Sequence, residues 1–391
     1  MITVDEARAK LFDLAAPLDE EEVPLTEAAG RVLARPVAAR RDQPPFAASS
    51  MDGYAVKTTE VQLHAMFKVI GEAAAGRRFD GAVHAGQAVR IFTGAPLPEG
   101  ADFVVIQEDI SRTGDLITIV NEPGSNDNVR PLGGDFRAGL TVEAPRLLRP
   151  ADLALLAAMN IDRVPVVRKP TVALISTGDE LVMPGEAPGQ DQIIASNTFG
   201  LKAMLEESGA EARILPIARD SHASLAMAFD LARGADLVVT IGGASVGDHD
   251  LVGQVAETLG MERSFYKVLM RPGKPLMAGR LRGAAMVGLP GNPVSAMVCG
   301  HVFVLPMIRA MLGLGAAAPG LKRAELARDL PANGPREHYM RASVNAQGWL
   351  TPADTQDSSF LSILAGSNAL LRRPIGDPAR AAGEVVEYLS V

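Results

Sequence analysis

Between Thr171 and about Leu314 the chain alternates short, unbroken apolar runs with helix-length segments, and this alternation restricts the fold more than any other feature. VALIS, ARILPI, DLVVTI and AAMVGL have no polar face. Each must be covered on both sides, as in a parallel sheet wrapped by helices. The pattern predicts helices over 197–208, ending at Gly209, over 221–233, and from Pro293 to about Leu312. At the start of the last one, Asn292 suits the N-cap and Pro293 the first helical position. The expected unit is a doubly wound α/β domain.

The full 391 residues exceed one ordinary core, given roughly 100–200 residues per domain. Thr3 and Glu6 are spaced as a capping box ahead of Ala7, Leu11 and Leu14, which predicts a short first helix. Pro44-Pro45 ends that region. The runs FKVIGEA, QAVRIFTG, DFVVIQED and LITIV, separated by turn residues, then read as a small β unit. A helical period returns over Pro150–Met159, and VPVVRKP reads as a linker to a boundary near Lys169-Pro170. After Lys322 the runs HYMRASV, NALLRR and EVVEYL, without a helical period, predict a last small β unit. The fold class is therefore multidomain α/β plus β.

Composition narrows the function classes. A formal charge of −8 argues against non-specific nucleic-acid binding. The start MITVDEARAK, in which Asp5 and Glu6 balance Arg8 and Lys10, has neither the basic nor the apolar region of a secretory signal. The apolar stretch Met297–Ile308, interrupted by His301 and Pro306, is shorter than the ~20 residues of a membrane helix. A soluble cytoplasmic protein is expected. The single cysteine, Cys299, excludes intrachain disulfides and CxxC sites, so any thiolate chemistry would use the substrate's sulfur.

In open α/β sheets ligands collect beyond the carboxyl ends of the strands, where this chain has three candidate loops. They are Ser176-Thr177-Gly178-Asp179-Glu180, the stretch GGASVGDHD from Gly242 to Asp250, and Leu289–Ser295. Each combines glycine or proline with hydroxyls, which lets backbone N–H groups approach an anion at a helix start. Asp248 and Asp250 would repel that anion, so a cation is expected between them. Carboxylates beside phosphate-type loops hold Mg²⁺, and Glu180, Asp220, Asp248 and Asp250 all flank strand ends. Either Asp248 or Asp250 also suits the cap of a helix beginning near Leu251. Lys267, Arg271 and Lys274 recur in the otherwise apolar YKVLMRPGKP and form a basic lip for an anionic substrate. The loops carrying Asp52 and Thr93 read, by themselves, as ordinary β-turn chemistry. No Walker A, GxGxxG or HExxH pattern occurs, and His249 and His301 are read as incidental.

Taken in order, SSMDGYAV, RIFTGAPLPEGADFVVIQED, STGDEL, TIGGASVGDHD, MRPGKP and GLPGNPVSA resemble the molybdopterin molybdenumtransferase family, MoeA in bacteria and the E domain of gephyrin in animals. The resemblance implies four domains: residues 1–43 with 131–169 as a split domain, 44–130 as a β insertion, 170–317 as the α/β molybdopterin-binding domain, and 318–391 as a small C-terminal β-barrel-like domain. It implies a homodimer whose composite site lies between the α/β domain of one subunit and the insertion domain of the other. The implied reaction inserts molybdate at the dithiolene of adenylylated molybdopterin and releases AMP, with Mg²⁺ as divalent cation. A molybdopterin adenylyltransferase is the implied upstream partner.

By the same resemblance, Asp52, Thr93, Glu180, Asp220, Asp250, Lys267 and Arg271 are catalytic, with Asp52 and Thr93 supplied by the opposing subunit. Asp135, Glu180, Asp220 and Asp250 would hold the metal. Arg130, Ser176, Thr177, Gly178, Gly242, Gly243, Ser245, Asp248 and Lys274 would bind substrate, together with Pro290, Gly291, Asn292, Pro293, Ser295 and Ser358. Three positions depart from the family pattern. Arg271 stands where Lys is common, Gly134 where Glu is frequent, and Asp357 where Gly is usual. The competing readings are adenylyl transfer to molybdopterin, a non-catalytic scaffold like the animal relative, and a tungstate-specific paralogue.

Overall fold

A computed structural model of the chain describes residues 1–243 and 251–391. Strand Thr171–Ser176 pairs in parallel with Glu211–Ile214 on one side and with Leu237–Ile241 on the other, and the latter pairs in parallel with Ala284–Leu289. Alternate side chains enter two separate cores. Val172 and Leu174 pack with the helices Asn197–Glu207 and Pro293–Cys299, whereas Ala173 and Ile175 pack with His222–Leu231 and Leu251–Thr258. This two-sided burial is what the continuous apolar runs required.

The sheet is mixed rather than wholly parallel. Met277–Leu281 and Glu262–Tyr266 extend it antiparallel beyond Ala284–Leu289. The final helix is also less regular than expected: Pro293–Cys299 passes into a π-helical segment, Gly300–Val304, before Leu305–Met311. Pro306 cannot donate to the carbonyl four residues back, and that carbonyl, on Val302, falls inside the π segment. The run Pro293–Met311 is 19 residues, close to the expected span from Pro293 to about Leu312, and 78% of its apolar window is buried within the protein, as in a core helix. Cys299 lies in that helix, fully buried, and burial pushes its thiol pKa upward. A maleimide reagent should therefore leave the native protein unlabelled and react once it is denatured.

Thr3 caps the first helix, Val4–Phe12, through the expected box: its Oγ1 accepts the Glu6 amide at 3.2 Å, and Glu6 Oε2 accepts the Thr3 amide at 2.7 Å. Val4, Ala7 and Leu11 of this helix pack into the α/β core. The next strands form a sheet from two distant stretches. Glu20–Pro24 pairs antiparallel with Arg163–Val167, which touches Val32–Leu33, which pairs with Arg146–Leu147. VPVVRKP, read as a linker, is thus mostly a strand. Between these stretches lies a six-stranded sheet ordered Phe103–Ile106, Gly53–Val56, Gln87–Ile91, Met66–Ala73, Leu116–Ile119, Ile110–Thr113. At the C-terminal end, Glu337–Val344 pairs with both Trp349–Pro352 and Ala369–Arg373, closing a five-strand barrel with Lys322–Leu326 and Val385–Ser390. A short helix unforeseen in the sequence, Leu361–Ala365, follows the loop that leaves this barrel.

One ion pair bolts the α/β unit to the preceding strand. Arg168 Nη1 and Nη2 donate to Asp236 Oδ2 and Oδ1 at 2.9 and 2.8 Å, and the Thr171 amide and hydroxyl add two bonds of 2.8 Å to Oδ2. Burial pushes the Asp236 pKa up, but Arg168 and Thr171 outweigh it and hold the carboxyl below its ordinary range. Asp236→Ala is expected to cost about 1–3 kcal/mol in urea unfolding. Because the folded pKa is depressed, the contribution is complete above the unfolded carboxyl pKa near 3.9 and disappears as pH falls through the lower folded value.

Candidate functional site

Beyond the carboxyl ends of the parallel strands, the three loops converge on one cleft of about 920 Å³. Their backbones are stitched together: the Thr177 amide donates to the Ile241 carbonyl at 3.0 Å, the Gly242 amide to the Leu289 carbonyl at 3.1 Å, and the Gly178 amide to the Ala218 carbonyl at 3.1 Å. Ser176, Thr177, Gly178, Glu180, Asp220, Gly242 and Gly243 line the cleft, as do Pro290, Gly291, Asn292 and Pro293. A second cavity, about 440 Å³, lies at the amino ends of the same strands beside Arg233 and Arg282. Both of those guanidiniums are paired with Asp230, and Arg280, also on the wall, donates to the carbonyls of Gly283, Asp13 and Leu14.

The two glycines have a steric reason. A Cβ on Gly242 (φ +95°) would stand 2.7 Å from the Thr177 carbonyl oxygen, and one on Gly243 (φ +64°) 2.2 Å from Val252 Cγ2. Both would also crowd Thr177 Oγ1, at 3.1 and 2.9 Å. That hydroxyl is buried, lies on the cleft wall, and has no hydrogen-bond partner among the described residues. Thr240 Oγ1 shares the lack of a partner but lies within the sheet. A buried hydroxyl without a partner is costly, and this one is packed behind the Gly242-Gly243 turn of the cleft wall.

The acids are held by their loops. Glu180 folds over Gly178, where a Cβ would lie 2.3 Å from Glu180 Oε2. Asp179 Oδ1 accepts the Asp220 amide at 3.1 Å, and Arg219 Nη1 donates to the carbonyls of Gly178, Asp179 and Leu181 at 3.4, 3.1 and 3.0 Å. Ser245, Asp248 and Asp250 lie outside the described residues. Among the described residues no three His, Cys, Asp or Glu side chains cluster as a metal-binding group. Two carboxylates on the cleft wall nevertheless suit Mg²⁺, which is commonly held by one or two carboxylates plus substrate phosphates.

Lys267, Arg271 and Lys274 are not among the residues that line the cleft. Lys267 is one of five non-glycine residues with positive φ among the described residues, at +69°, and its Nζ lies 4.6 Å from the Tyr266 ring centroid. Such strain concentrates at functional sites. Lys274 precedes Pro275, which lines the cleft. Arg271 sits on a two-residue strand paired with Glu337-His338 of the barrel. His338 is lowered to about 4 by burial and by Arg271, Arg373, Arg336 and Arg341, so several guanidiniums share one field there. Asn292 leaves its helix uncapped by side chain, contrary to expectation. Its Nδ2 donates to Ser358 Oγ at 3.0 Å, and the Ser358 carbonyl instead accepts the Val294 amide at 3.1 Å. Ser295 is buried inside the helix, off the cleft.

Asp52, Thr93, Arg130 and Asp135 do not line this cleft. Thr93 donates to Asp52 Oδ1 through both its amide and its hydroxyl, each at 2.8 Å, and these bonds, with the Arg90 charge, hold the Asp52 pKa below the ordinary carboxylate value. Arg130 lies on a two-residue strand paired with Ala48–Ser49, and the exposed Asp135 donates its amide to the Gln43 carbonyl. Several site residues gave no signal in the sequence. Asn197 lines the cleft and donates to the Gly291 carbonyl at 2.7 Å; Ser359 lines it from the barrel; Arg219 braces the backbone of 178–181. Each is a single polar residue on an ordinary helix or turn.

Comparison with known proteins accords with this architecture. Models described as the MoeA N-terminal region (domains I and II), a probable molybdopterin binding domain, and the MoeA C-terminal region (domain IV) match residues 2–160, 173–310 and 323–391. A molybdopterin molybdenumtransferase from Haemophilus influenzae is 39% identical over 80% of this chain and 78% of its own length. One from Nostoc sp. is 34% identical over 100% and 94%. A solved structure of a molybdopterin biosynthesis MoeA protein from Pyrococcus horikoshii superimposes with a TM-score of 0.86 at 30% identity, over 100% of this chain and 99% of that one. Three consecutive matched regions, two relatives above a third identical and a common fold over the full length together establish that this chain belongs to the MoeA family of molybdopterin molybdenumtransferases.

Proposed function

We propose that this chain is a molybdenumtransferase of molybdenum cofactor biosynthesis, taking adenylylated molybdopterin and molybdate, joining the metal to the substrate's dithiolene sulfurs and releasing AMP. The observation that carries the reading is the Gly242-Gly243 turn against Thr177, whose buried hydroxyl has no partner among the described residues, at the cleft where the three loops converge. Phosphate is held there and at the helix start Pro290–Pro293. Lys267, Arg271, Lys274 and Arg336 draw in the oxyanion and neutralise charge as molybdate loses oxygen as water. Glu180 and Asp220 would hold Mg²⁺, whose charge would offset the repulsion between the carboxylates and the substrate phosphate. The protein works as a cytoplasmic homodimer, in which the partner's insertion domain brings the Asp52–Thr93 pair to the cleft as acid-base group and orienter.

The test is AMP release from adenylylated molybdopterin by the purified protein with Mg²⁺, with and without molybdate. Release that requires molybdate supports the reading; tight binding without release would replace it with a scaffold or a tungstate-specific role.

A further inference from the structure

Among the described residues Arg341 is the largest fully buried side chain, 1% exposed within the C-terminal barrel, and it forms no ion pair with any of them. Its charge is directed at a single turn. Nη1 donates to the Phe360 carbonyl at 3.0 Å and Nη2 to the Thr355 carbonyl at 3.1 Å, so the guanidinium spans both ends of the turn 355–360. The backbone of the same residue grips the turn again: the Arg341 amide donates to Gln356 Oε1 at 2.9 Å, and Gln356 Nε2 donates back to the Arg341 carbonyl at 3.0 Å. Burying a charge in this way is expensive, and an apolar side chain of similar volume would serve the barrel core as well or better.

What the turn carries explains the arrangement. Ser359 lines the cleft, with its amide and hydroxyl both donating to Asp357 Oδ1 at 2.9 and 2.7 Å. Ser358 meets the helix start, its carbonyl accepting the Val294 amide and its hydroxyl accepting Asn292 Nδ2. Asp357, the departure that placed an acid near the anion site, is thereby engaged inside the turn and lies in the field of Arg341.

We propose that Arg341 is a positioning residue that fixes the 355–360 turn against the helix N-terminus, so that Ser359 is already placed when an anionic substrate enters. This rests on the reading of the cleft as the substrate site. Arg341→Met is expected to raise the KM for adenylylated molybdopterin about tenfold with kcat nearly unchanged, and to speed hydrogen exchange of the Val294 amide by about the same factor. Ser359→Ala alone should raise KM, but should add nothing in the Arg341→Met background. Factors that multiply in the double variant, or a Val294 amide that exchanges as in the parent, would overturn the assignment. Should Arg341→Met fail to fold, Gln356→Ala loosens the same turn and carries the same two measurements. If the parent itself releases no AMP, the proposed activity has failed, and Val294 exchange alone then decides whether Arg341 fixes the turn.

Discussion

Asp52→Ala is expected to reduce molybdate-dependent AMP release by about 10³-fold or more while leaving the melting temperature unchanged. The carboxylate sits in a partly exposed turn ahead of strand Gly53–Val56 and takes no part in the cores of the insertion domain, so its removal opens no cavity. It does remove the acceptor of both Thr93 bonds. Asp52→Asn separates charge from geometry, because its amide oxygen still accepts the Thr93 amide; if ionisation is what matters, it should be nearly as inactive as the alanine variant. The Thr93 bonds, helped by Arg90, keep the carboxyl pKa below its ordinary range. The group therefore stays ionised down through about pH 4, and the acid limb of the pH–rate profile above that pH must belong to another group. Full activity in the alanine variant would remove Asp52 from the site.

Thr177→Val should change stability and function in opposite directions. Valine has nearly the shape of threonine, and the hydroxyl it lacks has no partner among the described residues. Removing a buried, unsatisfied polar group should leave the protein as stable as before or raise its unfolding free energy by about 1 kcal/mol. The same change withdraws the hydroxyl packed against the Gly242-Gly243 turn of the cleft wall, and KM for the adenylylated substrate should rise about 10- to 100-fold, equivalent to ~1.4–2.8 kcal/mol. Thr177→Ser keeps the hydroxyl and should bind almost normally. An unaltered KM in the valine variant would mean that the hydroxyl does not contact substrate.

The α/β unit was legible because its strands are continuous apolar runs and its loops carry glycines at the strand ends; both follow from burial and close approach, which act locally in sequence. Features set by distant partners were not legible. Pro165 made VPVVRKP read as a linker, since proline argues against a central strand, yet Val164 and Val166 are fully buried and the pairing with Glu20–Pro24 holds the strand. Met277–Leu281 is interrupted by Gly279 and Arg280 and showed no clear period, although Gly279 is where a Cβ would meet the Glu262 carbonyl at 2.4 Å on the neighbouring strand. In the site, Thr177, Gly242 and Asp220 could be read from position, whereas Asn197, Arg219 and Ser359 could not. Their roles depend on loops that only the folded chain brings together.

The sheet built from two distant stretches also sets a timetable for synthesis. Glu20 has no partner until Val167 has been made. At ~5–20 residues per second that leaves the early strand waiting roughly 7–30 s while the insertion domain emerges and folds. A bare strand edge during that interval would invite pairing with neighbouring nascent chains. Its sequence, EEEVP, opens with three exposed glutamates, a run of like charge that keeps such an edge apart from its copies until the rightful strand arrives.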